Sequence, residues 1–313
     1  MQLADTATGE TLWGERIDAE EREIFDLQDR VVAGIVAGIA PNLRAASLRE
    51  ALRKRPENLS AYDLTLQALY VLGTLDRTGF AKGRRLLERA MAEDPFFALP
   101  RAWAARWHSI SIARGWSANT RDDADAAIAL ADRAIALDGS NALALATRGH
   151  ISAYLRRDCD AAMENFRQAL AAAPSNSVAW TLSSTTLSYL GRATEAVKHA
   201  ERGLRLSPYD PLSFSQHFVL GLARYAADDL ARAEGDCRMS LGAHAQHAAT
   251  WKLMAAVLAG QGNRDAAAEA GARVVALEPS FRLGAYERDR LPIRNPALRL
   301  RIMRDLRQAG LPE

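Results

Sequence analysis

Six histidines, two cysteines and a few adjacent acids are the residues of this chain whose types could do chemistry. His244 and His247 stand three apart in GAHAQH, and on a helix both rings could face one way and offer a pair of metal ligands. They read instead as part of a loop between two helices, and no metal is assigned to them. Asp158, Cys159 and Asp160 fall at another loop, where a carboxylate is best used to cap a helix. Asp122-Asp123 and Asp228-Asp229 are acids at helix starts, where the helix dipole favours them. None of these makes a general acid/base pair. No P-loop, G-x-G-x-x-G, H-E-x-x-H, C-x-x-C or G-x-S-x-G is present. Cys159 and Cys237 lie in separate segments and read as small buried hydrophobes in a reducing cytosol. The expectation is a chain with no catalytic residues, no metal and no cofactor.

Bulk properties narrow the classes further. The chain has 313 residues, 49% apolar and 25% charged, with a formal net charge of +2. That balance gives no general attraction to nucleic acid or anionic lipid. No apolar run reaches the roughly 18–20 residues of a membrane span. The opening MQLADTATGE lacks a basic stretch followed by an apolar one, so no secretory leader is expected and the location is read as cytoplasmic.

What must position these residues is a repeat. Ala127, Ala162, Ala196, Ala233 and Ala267 each open a helix and are 35, 34, 37 and 34 residues apart. A fixed period of this size predicts stacked helix pairs, and such an array functions by offering a surface. The pairs are expected over 58–72 with 79–92, 96–113 with 121–137, 141–155 with 160–172, 177–190 with 194–206, 212–226 with 230–241, and 248–259 with 264–277. Pro and Gly fall between pairs, where a helix must stop. A capping helix is expected over 296–308.

Within the pairs several slots recur together. One reads Trp180-x2-Ser183-Ser184-x2-Leu187, Gly191, Ala196-x3-Ala200, Pro208. Another reads Trp251-x2-Met254-Ala255-x2-Leu258, Gly262, Ala267-x3-Gly271, Pro279. The fifth pair has Leu220-Gly221 with His217 in the tryptophan slot, and the third has Ala162-x3-Phe166 and Pro174. These resemble the tetratricopeptide repeat, W-x2-L-G-x2-Y…A-x3-F…P. The expected fold is therefore all-α, a tetratricopeptide (TPR) solenoid of about six helix pairs. The two tryptophans are assigned to packing, so Trp180→Ala is expected to cost roughly 3–5 kcal/mol.

Ahead of the array, Gln2 to Asp5 and Thr11 to Arg16 read as a short hairpin, and 19–40 as an amphipathic helix capped by Asp18, with Trp13 as the anchor between them. A lone hairpin has open edges, which offers a route to self-association. Asp5, Thr8, Gly9, Glu10, Leu12, Trp13, Glu15 and Arg16, then Ile24, Phe25, Leu27, Gln28 and Asp29, then RKRPENLSAYDLTLQALY and the closing RDLRQAGLPE, resemble the carboxy-terminal half of bacterial class III adenylate/guanylate cyclase-like proteins. In that family a cyclase domain precedes a small α/β domain and tetratricopeptide repeats. Related proteins carry the same tail behind a winged-helix DNA-binding domain. The resemblance implies an association with cyclic-nucleotide signalling. It gives this chain no cyclase activity, because the cyclase domain with its two metal-binding aspartates has no room upstream of Gln2. The division expected is 1–55 as the remnant of the small α/β domain with a linker helix, 56–280 as the array, and 281–313 as capping helix and tail.

The family's arrangement puts the first helix of each pair on the inner surface. That projects Thr147, Ile151, Tyr154, Thr181, Thr185, Ser188, Tyr189, Phe218, Leu222, Tyr225 and Lys252 into a groove for a protein or peptide. TPR modules that grip chaperone carboxy-termini use Lys, Asn and Arg at fixed inner slots, which here hold mainly Thr, Ser, Leu, Val and Ala, with isolated Arg148 and Lys252. A carboxylate clamp of that kind is not expected. The tail arginines from Arg288 to Arg307 read as the solvated face of the capping helix or, in the sharper alternative, as a site for an acidic peptide or anionic surface. The function expected is a non-catalytic interaction scaffold, the regulatory region of a cyclase-like signalling protein. The alternatives are an accessory region of a winged-helix transcriptional regulator and, last, a stand-alone enzyme.

Overall fold

The computed structural model describes residues 2–4, 11–14, 48, 59–73, 76–208, 210 and 212–313. The helix expected over 19–40 with its Asp18 cap, the contact expected of Trp13, and nearly all of the linker helix lie outside the described residues. At the start, β1 (Gln2–Ala4) and β2 (Thr11–Gly14) pair antiparallel with Leu3 opposite Trp13.

Six antiparallel helix pairs follow. They are α1 (Ala61–Leu72) with α2 (Arg77–Glu93), α3 (Ala98–Ala113) with α4 (Thr120–Leu137), and α5 (Ala142–Tyr154) with α6 (Cys159–Ala172). Then come α7 (Ser177–Tyr189) with α8 (Ala193–Leu206), α9 (Ser213–Ala226) with α10 (Leu230–Ala243), and α11 (Ala248–Gly260) with α12 (Arg264–Leu277). Side-chain caps start many of them: Ser60 and Asp63 form a reciprocal capping box, and Asn141, Asp158, Asn176, Asp229 and Asn263 each accept a backbone N–H of the first turn. Each first helix packs on its own partner and on the first helix of the next pair, which is the solenoid arrangement.

The recurring alanine explains the period. Ala127, Ala162, Ala196, Ala233 and Ala267 are all 0% exposed. A small residue of the facing first helix meets each of three of them. A Cβ on Gly149 would lie 3.1 Å from the Ala162 carbonyl oxygen, and one on Gly221 would lie 3.4 Å from that of Ala233. In the pair between, Ser184 donates its hydroxyl to the Ala196 carbonyl at 2.7 Å. Only Gly, Ala or Ser lets the two backbones come this close. Phe166 fills the large slot of the third pair, and buried Cys237 stands in that slot in the fifth.

The tryptophan slot behaves differently from the expectation. Trp180 and Trp251 are half-buried. Each indole N–H donates 2.8 Å to a loop carbonyl six residues earlier, Pro174 and Ala245. Their outer faces meet second helices: His199 edge-on at 4.6 Å and the Arg273 guanidinium at 5.6 Å. These rings tie the inter-pair loop to the next helix and do not fill a closed core, so the 3–5 kcal/mol expected for Trp180→Ala is too high.

After α12 the chain turns back. A short helical turn (Leu283–Ala285) runs into a π-helical turn (Tyr286–Arg290), then an extended stretch over 291–295, then α13 (Pro296–Gln308). Apolar burial holds it: Leu283, Leu291, Ile293, Ile302 and Leu306 all join the core beneath α11 and α12. This return was not foreseen beyond α13 itself. The segment crosses the turns inside pairs three, four and five. Arg157 donates to the Arg288 carbonyl and Arg294 to that of Arg157. The backbone N–H groups of Arg294 and Asn295 both donate to the Tyr189 carbonyl at 2.9 Å. Arg301 binds Asp228 at 2.8 Å, and the Tyr225 hydroxyl donates to buried Asp305 at 2.6 Å.

Candidate functional site

First helices α3, α5, α7, α9 and α11, the turn at 244–247 and the returning tail converge on one cavity of about 320 Å³. Its apolar walls are Trp116, Phe214, Phe218, Leu222, Tyr154, Tyr189 and Tyr286, closed on the tail side by Leu291, Pro292 and Ile293. Its polar wall carries Arg106, Arg114, His150, His244, His247, Lys252, Glu278 and Arg290.

The charges on this wall are unbalanced. Glu278 is its one carboxylate among the described residues, and it is already taken: Lys252 binds it at 2.8 Å and Arg290 at 2.9 Å. Burial works against the Glu278 carboxylate, but Lys252 and Arg290 outweigh that and hold it below its usual range. Burial also pulls the Lys252 ammonium down to about 8, against the attraction of Glu278. Burial and the nearby Arg106 guanidinium push His150 down to about 3, and burial with His244, Arg114 and Lys252 does the same to His247. Both rings are therefore neutral at pH 7. His150 lies parallel to Tyr154, with ring centres 5.6 Å apart, and its Nδ1 has no hydrogen-bond partner. The Arg114 guanidinium stacks over Trp116 at 4.5 Å and contacts His244 Nε2.

Six of the eleven residues projected into a groove line this cavity: Tyr154, Thr185, Tyr189, Phe218, Leu222 and Lys252. The other five do not reach it. Thr147 and Ile151 are buried, Ile151 against Ile112, Ala124 and Ala127 of pair two, and Thr181 packs against Gly203 of its own partner helix. Ser188 is buried and gives its hydroxyl to the Ser184 carbonyl. Tyr225 is 0% exposed and spent on Asp305. The projection fails at these positions because it ignores helix rotation: each first helix is buried on nearly all sides, so residues one turn apart face a partner helix and not the cavity.

Other residues were missed. Arg106, Arg114 and His150 carry no repeat signature, and Arg290 belongs to the tail. The inner slots lack a row of cations, as expected, but positive charge enters from these outside positions. Arg148 pairs with Asp132 at 3.0 Å and does not contribute. The tail arginines are engaged within the chain, several of them in exposed pairs. Arg288, Arg290, Arg299, Arg301, Arg304 and Arg307 each pair with a carboxylate of this chain, and Arg294 donates to a carbonyl. His244 and His247 do lie in an inter-pair turn, both edge-on to Phe214 at 4.9 Å. Among the described residues no group of three or more His, Cys, Asp or Glu could hold a metal ion. Asp123 does more than meet a helix dipole: it accepts from His108 Nδ1 at 2.5 Å, while Arg84 donates to Nε2 of the same ring. This relay joins α2, α3 and α4, and no nucleophile adjoins it.

The pairing of small residues on alanine carbonyls, repeated down stacked helix pairs, decides the fold. The chain has the tetratricopeptide-repeat fold. No family model matches it. This TPR array is similar in fold to a chain in the crystal structure of the APC/C hetero-tetramer Cut9–Hcn1, with a TM-score of 0.58 and 15% identity over 93% of this chain and 50% of that one. It also matches a thermophilic TPR protein of Thermus thermophilus, with a TM-score of 0.44 and 18% identity over 59% of this chain and 91% of that one. Over 139 residues the TPR chain is 30% identical to putative adenylate cyclase 3 of Rhizobium meliloti (strain 1021), covering 44% of this chain and 24% of the relative. It therefore spans about a quarter of that protein's length. That likeness fits the cyclase-like resemblance of the opening segment. No helix of the described residues is long and apolar enough to cross a membrane.

Proposed function

We propose that this chain is a non-catalytic protein-interaction scaffold and the regulatory part of an adenylate cyclase-like signalling protein of the cytoplasm. The observation that carries the reading is the convergence of five first helices on one aromatic-lined face. Rigid rings there bury area at low entropic cost, which suits a protein or peptide partner. The fold neighbour Cut9–Hcn1 is itself part of a hetero-tetramer, in keeping with such a role. The partial match to a putative adenylate cyclase favours the cyclase-like setting over the winged-helix one. On this reading residues 1–55 are the end of a small α/β domain, 56–280 the array and 281–313 its cap, and the β1–β2 edge is a route to self-association.

The test is a comparison of proteins retained by the native chain and by Tyr154→Ala/Phe218→Ala, with circular dichroism showing that the variant is folded. Loss of specific partners supports the reading. An unchanged set of partners refutes it. The reading frame upstream in the genome separates cyclase domain from winged helix.

A further inference from the structure

Arg106 sits on α3 at the base of the cavity, and among the described residues nothing hydrogen-bonds its guanidinium. Burial lowers its pKa to about 10, against the attraction of Asp210. Arg106 is half-buried, so water of the cavity reaches its guanidinium, but no described residue accepts from it, and a charge held partly out of water gains from a fixed acceptor. Next to it, the His150 imidazole is left with an unpartnered Nδ1. Arg114 at the end of the same helix, Lys252 of α11 and Arg290 of the tail also line the cavity, against Glu278, the single carboxylate of its described lining. The described residues of the wall thus comprise four cations and one anion, with aromatic rings beside them. A volume of about 320 Å³ is at the small end of the roughly 300–1,000 Å³ of ligand pockets, and far too small for a folded partner.

We propose that this cavity is the site of a small anionic ligand, a carboxylate or phosphate ester on an aromatic or apolar body, held by Arg106 with His150 and bounded on its far side by Arg290 of the tail. The anionic head supplies acceptors that no described residue gives Arg106, as charge-assisted hydrogen bonds. The body lies among Trp116, Phe214 and Phe218. Because α3, α5 and the returning tail all border the same space, an occupied site also fastens tail to array. This site shares Tyr154 and Phe218 with the face proposed for a partner, but titration reads a small ligand alone, so its failure leaves the scaffold reading standing.

Isothermal titration of the full chain with phenyl phosphate, phenylacetate and benzylamine tests it, with intrinsic tryptophan fluorescence as a second readout. Either anion is expected to bind and raise the melting temperature, and benzylamine, which has the same ring and the opposite charge, is not. The phosphate and carboxylate arms decide which head group is preferred. Arg106→Gln is expected to weaken anion binding about tenfold or more. It should leave the melting temperature of the empty protein within about 2 °C, since no described residue hydrogen-bonds the Arg106 guanidinium. Arg290→Gln, nearer the surface, is expected to weaken binding as well, and gives the answer if Arg106→Gln does not fold. No binding of either anion at about 1 mM, equal binding of benzylamine, or full binding by the Arg variants would overturn the proposal. So would binding of a peptide carboxy-terminus with no response to the phenyl anions.

Discussion

Trp180 and Trp251 occupy the same slot of their pairs, and each uses its indole N–H on a loop carbonyl at 2.8 Å. Shape and hydrogen bond can be separated at such a position. Trp180→Phe keeps most of the ring and leaves the Pro174 carbonyl without its donor. It is expected to cost about 1 kcal/mol, and Trp180→Ala about 2–3 kcal/mol, since the ring is only half-buried. Urea unfolding of both variants checks this: a loss near 5 kcal/mol for Trp180→Ala would restore the core reading. The type of these residues was legible from sequence, because aromatic, small and alanine slots recur in step. Their hydrogen bonds were not, since no pattern of types shows where an indole N–H points.

Two elements set the order of the tail. The turn inside pair four has Gly191 at a φ of +77°, and a Cβ there would collide with the side-chain amide of Asn295. Asn295 caps α13 by accepting from Leu298 N at 2.9 Å. Gly191→Ala therefore meets both a strained backbone and the start of the last helix. It is expected to cost about 1–3 kcal/mol and to speed proteolysis of the segment after Pro279. Tyr225→Phe acts on the other end of the same element by leaving buried Asp305 short of a donor, also about 1–3 kcal/mol. Guanidinium melts of the two variants, with mass spectrometry of the first cleavage products, check both; intact tails at wild-type rates would show that the contacts are idle. The helix pairs were legible because the apolar period and the Pro and Gly stops agree with them. The return of 281–295 was not. Leu283, Leu291 and Ile293 have no helical or strand period, and seven arginines in one segment look like a solvent face until each partner is seen.

At the scale of the whole molecule, all six histidines are pushed below their usual range, in each case first by burial. A folded-state pKa lowered from 6.5 stabilises the protein above that pH. The benefit is lost as pH falls, because only the unfolded chain then takes up the proton. For His150 and His247, both lowered to about 3, the window runs from pH 6.5 down to about 3. Between pH 6.5 and 5 each is expected to remove about 1–2 kcal/mol, discounted for water reaching the cavity. Melting temperatures from pH 8 to 4.5 check this. His150→Phe, which keeps a ring against Tyr154, should flatten the slope by about one proton. An unchanged slope would mean that His150 titrates normally in the fold. The buried environment of these rings could not be read from sequence, because it arises where separate pairs meet.

The contacts between tail and turns also set an order of events in time. Those of Arg157 with Arg288 and Arg294 join residues 131 and 137 positions apart. A plain solenoid closes each pair against its neighbour as soon as both exist. Here the third, fourth and fifth pairs leave the ribosome well before the segment that fastens their turns. At roughly 5–20 residues per second, the wait for pair three is about seven to twenty-seven seconds. During synthesis the array thus presents its inner face with the tail wall missing, and any factor that engages the newborn chain meets a wider opening than the finished protein offers.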